Sequence, residues 1–264
     1  MSIPARQWNA KELVDRLNKL LAEPGLNEVE LRRIRRDAEP LRTVDPSAYY
    51  DVFGACAGVA GDLPEARSQF EASAAKGVDD ADTWLNYAKT MSILGQSTEV
   101  GSILARGLKR FPDTPRLVRE ALPIAIDAGF ISLANDLVGM MRKLKLESPP
   151  DESIEAISEC ASLLKSEGRQ DTEVASAIEL VRNHLMQFGY KRPPQGFAVV
   201  PADDEDERSS IACWIVIDDH VDRIADVELE IYRDLARRTL EIETSGFLSF
   251  LFSPADKESV ASPS

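Results

Sequence analysis

The sequence has few of the residues that most metal sites and disulfide frameworks require. Its 264 residues include only two histidines and three cysteines, and no two cysteines form a CxxC pair. An odd number of widely spaced cysteines favours buried thiols in a reducing compartment over a fold held by disulfides. The sequence therefore predicts no metal site, and no cofactor is expected.

Long apolar runs and enzyme motifs are missing as well. No apolar run approaches the roughly 18 residues of a membrane span, and the first residues become amphipathic without the apolar core of a secretory signal. A cytoplasmic protein without membrane contacts is therefore expected. The glycine-rich loops of nucleotide-binding proteins and the GxSxG and HExxH motifs of hydrolases are also absent. These absences favour a protein that is not an enzyme.

Basic residues are in the minority. Lysine and arginine number 31 against 45 acidic residues, which gives a net charge of −14. The excess is concentrated in residues 196–264, which carry a net charge of −10, whereas residues 1–195 carry −4. An acidic surface repels phosphate, so nucleic acid is a poor candidate for the partner and a basic protein is a better one.

A period of 34 residues is the main pattern that the sequence contains. Three consecutive blocks, 47–80, 81–114 and 115–148, align without gaps. Corresponding places carry similar residues: a large apolar residue at the fourth, mostly small residues at the eighth, and glycine at the fifteenth. In block order these are Tyr50, Trp84 and Val118, then Gly54, Ala88 and Leu122, then Gly61, Gly95 and Gly129. Each block therefore predicts two helices that pack closely and are separated by a left-handed glycine turn.

This pattern resembles the tetratricopeptide repeat family over residues 47–148, with block 81–114 as the closest match. The resemblance implies a solenoid of helical pairs in which the first helix of each pair lines a concave groove. It also implies a partner-binding site at Asn86, Lys89, Arg116 and Arg119, with Asn86 placed to bond the main chain of a bound peptide. Asp51, Ala55 and Glu120 do not fit the clamp for chaperone C-termini, so that ligand is disfavoured. A solvated concave face without a ligand remains the alternative.

Helical patterns extend the repeat region in both directions, so that residues 1–190 are expected to form one helical-repeat domain. Beyond a KRPPQG breaker, the apolar period shifts toward 2, which predicts a small β-β-α-β unit over residues 196–253. Residues 254–264 are polar and predict a disordered tail. The fold class is thus mainly α, a tetratricopeptide-like solenoid followed by a small α/β unit. Pro123 falls inside a first helix, so either it shapes the groove or that helix begins later.

One carboxylate of the C-terminal unit is a second candidate for function. On a helical wheel of residues 220–242, Glu228 falls within the apolar arc formed with Val221, Ile224 and Leu235. A buried carboxylate must be paired, protonated or solvated through a cleft. The alternative is a side chain that reaches solvent past the rim of the arc. The nearby DDHVD segment superficially resembles a set of metal ligands, but capping of the following helix explains it better.

Three functions are compatible with these patterns. The leading hypothesis is a non-enzymatic adaptor or chaperone-like scaffold that binds a protein segment in the groove, with the C-terminal unit as a second contact or a means of self-association. In the second, the C-terminal unit is a small catalytic or ligand-sensing domain that uses Glu228. The third is an acidic toxin-neutralising protein, because a basic toxin would require an acidic partner.

Overall fold

The chain is mainly helical with a small β-sheet, as a computed structural model of the protein shows. The structure describes residues 10–22, 27–147, 149–190, 195–200, 209–217, 219, 221–238 and 247–254. The chain divides into two compact units, Met1–Glu120 and Ala121–Ser264. Each unit is described by itself.

The described residues form twelve helices and three strands. In chain order these are α1 (Ala10–Ala22), α2 (Glu28–Ala38), α3 (Leu41–Val44), α4 (Pro46–Ala60), α5 (Leu63–Ala75), α6 (Ala81–Ile93), α7 (Ser97–Arg110), α8 (Pro115–Asp127), α9 (Ile131–Lys143), α10 (Asp151–Ser166), α11 (Asp171–Gln187), β1 (Gln195–Val200), β2 (Ser210–Ile217), α12 (Val221–Arg238) and β3 (Leu248–Pro254). None of these helices is both long enough and apolar enough to cross a bilayer.

The helices keep the period of the sequence. The second helices of the three blocks begin at Leu63, Ser97 and Ile131, a spacing of 34 residues. Gly61, Gly95 and Gly129 have φ values of 77°, 71° and 83°, so the predicted left-handed turns are confirmed. Helix α8 includes Pro123, so the alternative of a later start for this helix is wrong.

Aspartate side chains fix where the helices of the first unit begin. Asp45, Asp62 and Asp80 each accept a hydrogen bond from a backbone N–H in the first turn of the helix that follows, at 3.1, 3.1 and 2.9 Å. This bond satisfies one of the N–H groups that a helix start otherwise leaves unpaired. Part of the acidity of the chain therefore serves helix capping rather than binding.

Small and large residues of the repeat meet as the sequence predicts. A Cβ at Gly54 of α4 would lie 2.5 Å from the ring of Phe70 in α5, so any larger residue at this position would require the ring or the helix to move. Trp84 of α6 is buried, donates its indole N–H to Asp79 at 2.9 Å and lies under the guanidinium of Arg106. The eighth-place glycine and the fourth-place tryptophan are thus packing positions.

The second unit contains a three-stranded sheet of mixed topology. Strand β2 lies in the centre, antiparallel to β1 and parallel to β3. The predicted order β-β-α-β is therefore observed in β1, β2, α12 and β3. Phe197 pairs with Cys213, which in turn pairs with Phe250, so these three residues share one face of the sheet.

One apolar core joins this sheet to helices that precede it in the chain. Buried residues of α10 and α11 pack in the same cluster as the sheet and α12, among them Leu164, Ile178, Ile215 and Ile231. The domain boundary near residue 190 stays a prediction, but within the second unit the β-β-α-β segment does not bury its core alone. Of the predicted tail, Pro254 ends β3 and the rest lies outside the described residues.

Two polar contacts hold α12 in place. The hydroxyl of Tyr232 donates to the backbone carbonyl of Phe250 and accepts from the backbone N–H of the same residue at 3.2 Å. Because β3 lies at an edge of the sheet, this contact occupies backbone groups that an edge strand leaves open. His184 of α11 and Asp234 of α12 approach to 2.7 Å.

The contact between Gly54 and Phe70 yields a stability prediction. Gly54→Ala should lower the free energy of unfolding by about 1–3 kcal/mol, since the added methyl group must displace a buried ring. Gly139→Ala in α9 is the matched control, because nothing lies within 4 Å of its Cβ position. That change should be neutral or stabilising by up to about 1 kcal/mol, the gain of alanine over glycine inside a helix. Urea denaturation followed by circular dichroism measures both, and equal effects would contradict the packing.

Candidate functional site

The first unit gathers polar side chains from α4, α6 and the beginning of α8. We call this set the polar cluster. It comprises Ser47, Asp51, Asp80, Asp82, Thr83, Asn86, Lys89, Arg116 and Glu120. Four carboxyl groups face two cations in it, so the cluster is acidic when all of its carboxyl groups are ionised.

Asp51 is the most unusual member of the polar cluster. Its side chain lies on α4 and is only 6% exposed. The Nδ2 group of Asn86 donates to its Oδ2 atom at 2.9 Å. Its Oδ1 atom is buried and has no hydrogen-bond partner within the described part of the chain. A buried acceptor without a donor costs about 1–3 kcal/mol, and an ionised one costs more.

Burial changes the protonation of this carboxyl group. Desolvation raises the pKa of Asp51 to about 7, and the nearby carboxylates of Asp80 and Asp82 act in the same direction. The hydrogen bond from Asn86 lowers this pKa but does not offset the loss of water. Asp51 therefore exchanges a proton in the physiological range, unlike an ordinary aspartate.

Asp80 differs from Asp51 because its carboxylate is fully engaged. Its Oδ1 atom accepts from the backbone N–H of Thr83 at 2.9 Å, and its Oδ2 atom accepts from the hydroxyl of Ser47 at 3.1 Å. The Ser47 and Thr83 hydroxyl groups are 3.2 Å apart. These bonds link the starts of α4 and α6 beside Asp51.

The cations of the polar cluster are neutralised by carboxylates of the same unit. Glu120 accepts from Lys89 at 3.2 Å and from Arg116 at 2.8 Å, and Arg116 also donates to Asp82 at 2.7 Å. Burial raises the pKa of Glu120, but the hydrogen bonds from both cations outweigh it and hold this pKa below its usual value. Desolvation raises the pKa of Asp82.

The structure divides the four binding residues that the resemblance implies. Asn86, Lys89 and Arg116 belong to the polar cluster. Arg119 is exposed and makes no hydrogen bond or ion pair with any described residue. Arg119 lies three residues after Arg116 on α8, so partner binding by these four residues stays a prediction, with Lys89 and Arg116 paired to carboxylates of the same unit.

Asp51 is the residue that the sequence-based site prediction left out. A signal for it exists, because Asp51 is the only charged residue between Pro46 and Gly61. One charge within an otherwise uncharged helix must be buried with a partner or reach solvent at an edge. The sequence alone does not decide between these outcomes.

The candidate carboxylate of the second unit lies in a different environment. Among the described side chains of α12, Ile224, Val227, Ile231 and Leu235 are buried, whereas Glu228 is partly exposed. The carboxylate thus lies beside the apolar stripe and not within it. Asp218 and His220 of the DDHVD segment lie outside the described residues, and no group of three acidic, histidine or cysteine side chains among the described residues could hold a metal ion.

The raised pKa of Asp51 predicts a pH-dependent gain in stability on its removal. Between about pH 4 and pH 7 the folded chain holds a proton that the unfolded chain has lost, so this group makes folding less favourable as the pH rises. The stability gain of Asp51→Asn over the wild type should therefore grow by about 2–3 kcal/mol between pH 5 and pH 8, on the order of the value that a shift of this size implies.

Asp113→Asn is the control for this experiment, because Asp113 is exposed and lies between α7 and α8. Its effect should stay within about 0.5 kcal/mol at both pH values. Denaturant unfolding at the two pH values measures all three proteins. An Asp51→Asn variant that is less stable than the wild type near pH 8 would show that the carboxylate is ionised and paired.

A search for similar proteins found no family model, no curated protein and no solved structure that matches this chain. The function is therefore inferred from the chain's own residues, above all from Asp51 and the polar cluster around it.

Proposed function

We propose that this chain is a non-enzymatic adaptor of the tetratricopeptide type that binds a basic segment of another protein at the polar cluster. The single observation that carries the proposal is the buried Oδ1 atom of Asp51, which lacks a donor. A lysine or arginine side chain of the partner supplies that donor together with the opposite charge.

The charge balance favours a basic segment over an acidic one. Lys89 and Arg116 are already paired with Glu120 and Asp82. An acidic ligand would have to displace these carboxylates, whereas a cation meets acidic groups whose repulsion it relieves. Charge-assisted hydrogen bonds to a carboxylate are roughly twice as strong as neutral ones. A basic toxin is one partner that has this chemistry.

Asn86 supplies the second contact in this proposal. It is partly exposed and uses one amide hydrogen on Asp51, so its other N–H and its carbonyl oxygen remain for the main chain of a bound segment. The segment then lies with a basic side chain beside Asp51. The repeating helical pairs present this surface preformed, which limits the ordering cost of binding.

Binding of simple peptides tests this function. Three labelled peptides alternate alanine with lysine, glutamine or glutamate. Their affinities, measured by fluorescence anisotropy, should be highest for the lysine peptide, intermediate for the glutamine peptide and lowest for the glutamate peptide. Asp51→Asn should weaken the lysine peptide at least about fivefold, the equivalent of about 1 kcal/mol for a lost charge-assisted bond. Asp113→Asn removes the same charge from an exposed position and should change the affinity less than about twofold.

The pH dependence adds a second readout. Because the cation binds the ionised carboxylate, the affinity for the lysine peptide should rise about tenfold from pH 6 to pH 8, following the ionised fraction of a group with a pKa of about 7. Asp51→Asn should abolish that rise. If the two asparagine variants bind the lysine peptide equally at every pH, Asp51 is not the anchor and the proposed site is wrong.

A further inference from the structure

The second unit contains a cavity that the proposed function does not use. Its volume is about 430 Å³, within the range of roughly 300–1,000 Å³ that small-molecule sites occupy. Residues of α8, α9, α10, β1 and β2 form its walls, and all of these residues belong to the second unit.

The walls of the cavity are apolar and come from the core. Ile131 and Ala134 of α9 and Cys160 of α10 line it, and their exposed fractions are 3%, 0% and 0%. Ala156 and Ile157 of α10 also line the cavity and are partly exposed, so they are among the wall residues that a ligand can contact. Water in such a space finds few hydrogen-bond partners, and an apolar group that displaces it gains free energy.

An aromatic residue stands at the opening. Trp214 of β2 lines the cavity and is 39% exposed, although its neighbours Cys213 and Ile215 are buried. Phe197 of β1 adds a second ring. Large aromatic side chains that are left partly exposed at a concave site offer contact area to a ligand at a low entropic cost.

The polar part of the lining has one charge. Glu152 and Ser153, both in the first turn of α10, are exposed and supply a carboxylate and a hydroxyl group. No basic side chain lines the cavity among the described residues. In a chain of net charge −14, an anionic head group is repelled here and an ammonium group is attracted.

We propose that this cavity is a binding site for a small amphiphilic amine, whose apolar body lies between α9, α10 and Trp214 and whose ammonium group faces Glu152. None of the residues that line this cavity belongs to the polar cluster of the first unit.

Two probes of equal chain length test the proposal on the full-length protein. Decylamine and decanoate, each below its micelle concentration, are titrated by calorimetry and by tryptophan fluorescence. Decylamine should bind about two- to fivefold more tightly than decanoate, the ratio that one exposed ion pair supports. Glu152→Gln should remove this preference, and the fluorescence change should be lost in Trp214→Phe.

Bulk added inside and outside the cavity locates the site. Ala156→Phe places a ring in the cavity and should weaken decylamine binding at least about tenfold, whereas Ala225→Phe adds the same bulk at an exposed position of α12 and should leave it unchanged. Ile157→Asn makes the wall polar without adding bulk and should also weaken binding, which covers the case of an Ala156→Phe chain that does not fold.

Each contrary result rules out one part of the proposal. Absence of binding by either probe, or wild-type affinity in Ile157→Asn, removes the cavity as a ligand site. Equal affinity of decylamine and decanoate for the wild-type protein removes the ammonium group from the ligand class.

Discussion

The close approach of α4 to its neighbours is the constraint on which the rest of the first unit depends. Gly54 lies against the ring of Phe70 in α5, and a Cβ at Gly58 would lie 2.4 Å from the Thr90 side chain in α6. Side chains at these two places would separate the helices. Because α6 comes so near, the carboxyl group of Asp51 meets Asn86 and loses its contact with water.

This burial has an energetic cost that the unbound fold does not recover. Asp51 retains one oxygen without a donor, and burial raises its pKa, so its ionisation costs more free energy than that of an exposed aspartate. An asparagine at this position would avoid most of that cost. Binding sites commonly retain such unfavourable groups, since stability and function compete at the residues that carry function. In the proposed adaptor, a cation from a partner would remove this cost, and the free energy recovered would contribute to binding.

The ion pairs around Asp51 define the specificity in the same physical terms. Glu120 and Asp82 hold Lys89 and Arg116 in place, which leaves Asp51 and Asp80 without a cation. Asp80 has hydrogen-bond donors on both oxygens, whereas Asp51 has an oxygen without one. In the proposed adaptor, the cluster would therefore select by the charge of the incoming group and by the pH, because a protonated Asp51 attracts a cation only weakly. The apolar cavity of the second unit selects by different chemistry, through contact area and one carboxylate at its rim.

The sequence was sufficient for the helices and insufficient for the site. The 34-residue period, the left-handed glycines and the strand order follow from local patterns, and the structure contains all of them. The state of Asp51 depends on how closely α6 packs, which no local pattern reports. A helical wheel places Glu228 within the apolar arc, but its side chain is partly exposed. The wheel gives the direction of this side chain, but it does not give the width of the helix face that the neighbouring elements cover. Lys89 pairs with Glu120 and Arg116 pairs with Asp82. In each pair the two residues are about one 34-residue block apart, so these pairs depend on helix packing as well.

The most direct test of this account is a carbon-13 NMR titration of the Asp51 side-chain carboxyl group in the free protein, with the signal assigned by its absence from Asp51→Asn. The account predicts a midpoint near pH 7, well above that of an ordinary aspartate. A midpoint at or below about pH 4 would show that the carboxylate is already solvated or paired. The polar cluster would then contain no desolvated carboxyl group at Asp51 for a cation to stabilise.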